Sequence, residues 1–198
     1  MNFLAHVFLS GENLDLAIGN LIADQVKGKE IEFYPKGIQS GIILHRSIDK
    51  YTDTHPIVRE CRKVLFSEYR HYSGVIVDMY FDHFLALHWK RFHPVPLFDF
   101  SSTFYSKVKE RSVDFPYRTQ QFVSSLIRYD WFSYYESLQG LRKILTQMEQ
   151  RIKNPSKLSS SVDFLEENYN YFGDHFFPFM EDVISFSKNQ FLIIKSQV

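Results

Sequence analysis

The sequence predicts an all-α, single-domain helical bundle of about seven to eight helices. Apolar residues recur at helical spacing along most of the chain, and the Asn-Gly or Asp-Gly turns typical of hairpins are absent. The 198 residues include only 8 glycines and 7 prolines, which are the residues that most often end helices. Aromatic residues make up 17% of the chain. A chain of this length can bury one sizeable core. We therefore expect residues 1–198 to form one domain whose interior is built largely from aromatic rings.

The helical segments follow one another along the chain, and breaker residues mark several of their ends. The first segment, 14–26, stops before Gly28, because glycine favours the position that follows a helix. Pro35 and Pro56 stand where the second and third segments begin, since proline is tolerated in a first turn. These two segments extend to about residues 51 and 72, and the polar stretch 153–161 is too short to divide the chain. Apolar periodicity predicts the remaining segments at 75–92, 99–112, 118–129, 134–152 and 161–194, the last with a kink at Pro178.

Charge and cysteine content exclude several classes of protein. The 23 basic and 23 acidic residues balance to a formal net charge of zero, which argues against a strongly basic nucleic-acid binder. Cys61 is the single cysteine, so an internal disulfide and a zinc ribbon are excluded, and a metal would be held by His, Asp or Glu. The first residues lack the pattern of a signal peptide, and no run of about 18 apolar residues predicts a membrane span. We expect a cytoplasmic protein.

The fourth predicted helix carries a narrow acidic strip on an apolar surface. Asp78 and Asp82 are four residues apart and therefore share one face, which Val75 and Leu85 flank. Two unpaired carboxylates would cost several kcal/mol if this face were buried. A divalent cation or an arginine would compensate them. The alternative to a metal site is a pair of surface or arginine-paired carboxylates.

Ligand-type side chains also occur on the first two helices. His45 and Asp49 are four residues apart, and imidazole nitrogen and carboxylate oxygen are ordinary metal ligands. The alternative is a local hydrogen bond between them. Asp24 shares a face of the first helix with Asn20, among small and apolar residues.

Helices that pack together can bring such groups to one buried site. A ligand set without cysteine favours a hard or borderline ion such as Mn²⁺, Mg²⁺ or Fe. Such an ion supports hydrolysis, because it lowers the pKa of a bound water and neutralises charge on a phosphoryl oxygen.

Four motifs follow one another in the first 92 residues. They are Met1-Asn2-Phe3-Leu4-Ala5-His6, Gly19-Asn20-Leu21-Ile22-Ala23-Asp24, Gly41-Ile42-x-Leu44-His45-Arg46-x-Ile48-Asp49-x-x-Thr52-Asp53 and Asp78-x-x-x-Asp82-His83-Phe84-Leu85-x-x-His88-Trp89. Together they resemble the acyl carrier protein phosphodiesterase family. The resemblance implies hydrolysis of the phosphodiester that joins 4′-phosphopantetheine to a serine of holo-acyl carrier protein, with a divalent ion, typically Mn²⁺. It also implies kinship with the all-helical HD-domain phosphohydrolases, although the adjacent pair here is Asp82-His83 rather than His-Asp.

With this resemblance, roles can be assigned to the candidate residues. The predicted metal core consists of His45, Asp49, Asp78, Asp82 and, as a ligand or as the base that orients water, Asp24. His6 and His83 are second choices, as ligands or as the acid for the leaving serine oxygen. Arg46 is predicted to contact the phosphate, and the alternative for its guanidinium is an ion pair with Asp53 or Asp82.

An acidic carrier protein as substrate predicts a locally basic docking surface. The candidate docking residues are Arg59, Arg62, Lys63 and Lys27. The first three share one side of the third predicted helix, and the alternative is a solvated charged face.

Two other functions fit the same residues. An HD-like phosphohydrolase of a nucleotide or another small phosphate ester would use the same metal site. A metal-free helical interaction protein would bind its partner through the aromatic carboxyl-terminal helix. Bound metal separates the interaction protein from both enzymes, and release of phosphopantetheine separates the two enzymes.

Overall fold

A computed structural model describes residues 1–152 and 156–197, and the described residues form α-helices without any strand. The all-α prediction is confirmed. The helices are α1 (Phe3–Phe8), α2 (Leu14–Ile22), α3 (Lys36–Thr54), α4 (Pro56–Tyr69), α5 (Ser73–Leu87), α6 (Trp89–Phe92), α7 (Leu97–Arg111), α8 (Tyr117–Arg128), α9 (Trp131–Tyr134), α10 (Leu138–Glu149), α11 (Ser161–Glu167) and α12 (Tyr169–Gln197). None of the described helices has the length and apolar content that crossing a bilayer requires.

Several helix ends differ from the prediction. At these positions the α-helix passes into a 3₁₀ turn, or one helix ends and a second one begins. The first predicted helix ends at Ile22 and passes into a 3₁₀ turn, Ala23–Gln25. The predicted segment 161–194 is divided at Asn168, whose backbone N–H and side-chain amide both donate to the Phe164 carbonyl. Pro178 lies inside α12, after this break. Residues 153–155 of the predicted polar stretch lie outside the described residues.

Two further predicted helices differ from the structure at a junction between a short and a long helix. The segment 75–92 forms α5 and α6, which meet at His88. The segment 134–152 is helical from Leu138 to Glu149, as α10, and α9 precedes it at Trp131–Tyr134. The side chain of Ser137 accepts the Gly140 N–H at the start of α10. Helical periodicity continues across such junctions, so it does not reveal them.

Aromatic rings pack α5 against α12 in the core. The ring centroids of Phe81 and Phe179 are 5.1 Å apart, and those of Tyr80 and Phe172 are 4.9 Å apart. All four side chains are fully buried. This contact fixes one face of α5 in the interior, and α5 then supports the amino-terminal helix.

Helices α2 and α3 approach each other at two glycines. A Cβ atom on Gly19 would lie 2.0 Å from the carbonyl oxygen of Ile38, and one on Gly41 would lie 2.2 Å from that of Leu16. Only glycine allows two backbones to come this close. The contact places Asn20, the residue after Gly19, directly against α3.

Candidate active site

The short helix α1 carries His6, a residue that the sequence pattern assigned to no element. The carboxylate of Asp82 accepts the backbone N–H of Asn2 at 3.1 Å and of Leu4 at 2.9 Å. A carboxylate at these otherwise unpaired N–H groups stabilises the start of a helix. Asp82 thereby attaches α1 to α5 and fixes the position of His6.

Two imidazoles and two carboxylates meet where α1, α3 and the turn after α2 come together. The rings of His6 and His45 stack with their centroids 3.9 Å apart. Oδ1 of Asp49 lies 3.1 Å from Nε2 of His6, and its Oδ2 lies 3.0 Å from Nε2 of His45. Oδ1 of Asp24 lies 3.4 Å from the same His45 nitrogen. We call His6, Asp24, His45 and Asp49 the imidazole–carboxylate cluster.

Asn20 sets the orientation and the tautomer of both rings. Its side-chain oxygen accepts the Nδ1–H of His6 at 2.7 Å, and its backbone carbonyl accepts that of His45 at 2.8 Å. The side-chain amide nitrogen of Asn20 donates to the His6 carbonyl and to Ser10 Oγ, so the oxygen is the atom that faces the His6 ring. Nδ1 of each ring therefore carries a hydrogen, and Nε2 of each ring faces the carboxylates.

Burial and the contacts among the four side chains of the cluster shift their pKa values. Burial lowers the pKa of His45, but its hydrogen bonds with Asp24 and Asp49 outweigh burial and raise this pKa to about 9. Burial and the neighbouring His45 lower the pKa of His6. Burial raises the pKa of Asp49, but the two imidazoles outweigh it and hold this pKa well below its usual range. The hydrogen bond with His45 lowers the pKa of Asp24. At neutral pH the cluster by itself thus holds two carboxylates and one imidazolium.

Three donor atoms of the cluster lie close enough together to bind one cation. One ligand atom each from His6, His45 and Asp49 lies within 4.8 Å of the others. Nε2 of His6 is buried and makes no aligned hydrogen bond with any described residue. Histidine ligands of metals characteristically hold one ring N–H on an oxygen and present the other nitrogen to the ion. The cluster could therefore hold a cation through imidazole nitrogen and carboxylate oxygen.

The cluster lines part of a cavity of about 520 Å³. This volume lies within the range of small-molecule sites. Two further carboxylates, those of Asp53 and Asp78, line the same cavity. Its apolar lining residues are Met1, Phe3, Val75, Phe122, Trp131, Met148 and Ile152.

The structure divides the predicted metal core into two groups. His45 and Asp49 lie together and are joined by Asp24 and His6. The side chain of Asp82 is fully buried and accepts backbone N–H groups at the start of α1. Burial raises the pKa of this carboxyl to about 7. Asp78 accepts a hydrogen bond from the α-amino group of Met1 at 2.6 Å. The Asp78–Asp82 strip therefore faces the start of α1 and not the imidazoles.

His83 lies apart from the cavity lining, in the protein interior. Its Nδ1 is 2.6 Å from the carbonyl oxygen of Tyr135, and its Nε2 is 2.7 Å from the hydroxyl of Tyr169. Burial lowers the pKa of this imidazole. Both ring nitrogens are thus occupied by protein partners, which is typical of a structural histidine.

The predicted cationic residues occupy different surroundings. Arg46 is exposed and is not among the residues that line the cavity. Its Nη2 donates to the Val26 carbonyl oxygen at 3.4 Å. Arg62 forms an ion pair of 3.1 Å with Asp53. Because Asp53 also lines the cavity, α4 reaches the cavity rim at this pair. The other candidate docking residues, Arg59, Lys63 and Lys27, are exposed.

Comparisons with known proteins agree with the motifs of the sequence. A family model described as acyl carrier protein phosphodiesterase matches residues 1–183. A Yersinia pestis protein named acyl carrier protein phosphodiesterase is 34% identical over 180 residues, which are 90% of this chain and 93% of that protein. A Pectobacterium atrosepticum protein of the same name is 33% identical over 191 residues, or 96% of this chain and 99% of its own. No solved structure matches this chain.

Proposed function

Since the chain belongs to the acyl carrier protein phosphodiesterase family and is a hydrolase, we propose that it releases 4′-phosphopantetheine from holo-acyl carrier protein. Water attacks phosphorus, the bond from phosphorus to the serine oxygen breaks, and that oxygen takes up a proton. The phosphate leaves with the pantetheine arm. The observation that carries this proposal is the convergence of two Nε2 atoms and a carboxylate inside a cavity of suitable size.

We further propose that the cluster holds a divalent cation, Mn²⁺ by preference, with Mg²⁺ or Fe²⁺ as alternatives. Such an ion, when bound, makes water a better nucleophile and stabilises charge on a phosphoryl oxygen. His6, His45 and Asp49 are its proposed ligands, and Asn20 aligns the two rings for this role. His45 then gives up its proton, because the same Nε2 cannot hold a proton and a metal ion together.

Asp24 is proposed to be a ligand or the group that orients the attacking water. Its side chain is 61% exposed, more than the 44% of Asp49, so water has access to it. In the metal-free cluster the hydrogen bond with His45 lowers the pKa of Asp24. A bound cation would favour the ionised carboxylate in place of that hydrogen bond, so Asp24 would accept a hydrogen bond from water at neutral pH. The attacking water would thus be held beside the cluster.

The carrier protein is proposed to dock at the cavity rim beside α4. Arg59 and Lys63 are exposed on this helix, and Arg62 adjoins Asp53 at the rim. Cationic side chains at a cavity entrance attract an acidic protein and orient it. The serine that bears the arm would then lie at the cavity mouth.

The test is the mass of holo-carrier protein after incubation with the purified protein and Mn²⁺. We expect the mass to fall by that of the phosphopantetheinyl group, with free 4′-phosphopantetheine in solution. Chelator and the Asp49→Asn variant should each prevent the loss. An unchanged carrier mass with Mn²⁺-loaded protein would overturn the proposal, and parallel incubation with nucleotides would reveal a small phosphate ester as the substrate.

A further inference from the structure

Much of the cavity is lined by side chains that have no part in hydrolysis. The ring centroid of Phe3 lies 5.2 Å from that of Phe122 and 5.4 Å from that of Trp131. These three rings form a connected aromatic surface. We call Phe3, Val75, Phe122, Trp131, Met148 and Ile152 the apolar wall.

The apolar wall begins within one helical turn of the cluster. Phe3 and His6 are three residues apart on α1, so their side chains lie on the same side of that helix. Both residues line the same cavity. A ligand whose phosphate reaches the cluster therefore meets apolar side chains immediately beside it.

Trp131 is the most buried of these three rings. Its side chain is 5% exposed, whereas those of Phe3 and Phe122 are only partly buried. Its indole Nε1 is itself buried, so a ligand in the cavity meets the carbon atoms of the ring.

We propose that the apolar wall binds the pantetheine arm of the substrate, an inference that rests on the proposed function. In 4′-phosphopantetheine the ester carbon is bonded directly to a quaternary carbon with two methyl groups. An arm with phosphorus at the cluster therefore presents an apolar group to the wall close to Phe3. The arm thus enters the cavity, and the carrier protein stays outside.

The experiment uses pantetheine, which lacks the phosphate, and measures binding without catalysis. In a Trp89→Phe variant, Trp131 is the single tryptophan, because the chain has two. We expect a saturable change in its fluorescence when pantetheine is added to metal-free protein. If the Trp89→Phe variant does not fold, calorimetric titration of the unmodified chain serves instead.

Variants of two phenylalanines identify the binding surface. Phe122→Ala should weaken pantetheine binding about tenfold, since a ring at the centre of an apolar contact contributes strongly. Phe164→Ala is the matched control, because Phe164 is also partly buried but packs on Tyr69 and Phe172 and lies outside the cavity lining. The control should bind pantetheine as the unmodified chain does.

The two proposals fail in different ways. Absence of saturable binding, or equal binding by Phe122→Ala and the unmodified chain, would overturn the inference about the wall even if the carrier loses its prosthetic group. Pantetheine binding that depends on Phe122, together with an unchanged carrier mass, would support the wall and overturn the proposed reaction.

Discussion

His6 and His45 stack face to face 3.9 Å apart, and both donate their Nδ1–H groups to the same residue, Asn20. Two stacked imidazoles cannot both carry a positive charge without strong repulsion, which is one reason that the pKa of His6 is lowered. The shared partner fixes both Nε2 atoms toward Asp49. One residue outside the cluster thus determines where its nitrogen donors point.

Asn20→Ala is expected to reduce Mn²⁺ affinity and kcat by about ten- to a hundredfold, as for other groups that orient metal-binding histidines. The variant loses the acceptor for His6 but keeps the backbone carbonyl that accepts from His45. Mn²⁺ titration and steady-state kinetics measure the effect. Ser10→Ala removes one hydrogen bond of Asn20 and leaves both imidazole contacts, so it should stay within about threefold of the unmodified chain. Equal Mn²⁺ affinity in Asn20→Ala would contradict the assigned role.

Asp49→Asn is expected to abolish the rise in Tm that Mn²⁺ produces and to lower kcat by more than about a hundredfold. Asp49 is the carboxylate that lies near both Nε2 atoms, and an amide is a poor substitute for a charged ligand. Asp53→Asn is the control, since Asp53 lines the same cavity but pairs with Arg62. Thermal melts with Mn²⁺ and with chelator provide the measurement. A normal Mn²⁺ response in Asp49→Asn would remove Asp49 from the ligand set.

The affinity for Mn²⁺ should increase with pH by about tenfold per unit between pH 6.5 and 8.5, and level off above about 9. The reason is that His45, with a pKa of about 9 in the metal-free protein, must lose one proton to bind the ion. The pKa shifts of Asp24, Asp49 and His6 are all downward, so these groups release no proton in this range. Titrations in matched buffers measure the slope. An affinity that does not change over these two pH units would show that His45 is not a ligand.

The stability of the metal-free protein should carry a pH dependence that Asp82→Asn removes. Burial raises the pKa of Asp82 from 3.8 to about 7, so the folded state binds a proton that the unfolded state has released. This contribution to stability is complete below about pH 4 and is lost as pH rises through about 7, at up to roughly 1.4 kcal/mol per unit. Urea unfolding at several pH values compares the two proteins. Parallel stability curves would contradict the raised pKa.

His83→Gln is expected to lower the free energy of unfolding by about 1–3 kcal/mol, because a buried imidazole loses its two partners. Below its Tm the variant should keep kcat within about twofold. His6→Gln should show the opposite pattern, with a loss in kcat of more than about tenfold. Urea unfolding and kcat measured on both variants separate stability from catalysis. A large kcat defect in folded His83→Gln would assign this histidine to the reaction.

Helical spacing predicted part of the site because the relevant residues share one helix face. His45 and Asp49 lie one turn apart on α3, and both face the same cavity. The same spacing on α5 predicted correctly that Asp78 and Asp82 share a helix face. Residue spacing does not reveal which part of the protein packs against that face. The partner of Asp82 is a set of backbone N–H groups, which no side-chain pattern reveals.

The remaining site residues were hidden for local reasons. Helix α1 has six residues, too few to show a period, so His6 belonged to no predicted element. Asn20 was visible as a polar residue among apolar ones on the face that carries Asp24. Its role depends on a backbone carbonyl as well as a side chain, and it became apparent only when α2 was placed against α3.

The glycine contact between α2 and α3 has a practical consequence for anyone who wishes to transplant this chemistry. The interhelical separation at Gly19 and Gly41 leaves no space for even a methyl group. Asn20 accepts from His6 with its side-chain oxygen and from His45 with its backbone carbonyl. It can accept from both rings only when α2 and α3 are this close. A scaffold that reproduces these side chains at an ordinary helix spacing would not orient the two imidazole rings in the same way. The backbone distance has to be copied first, and the reactive side chains second.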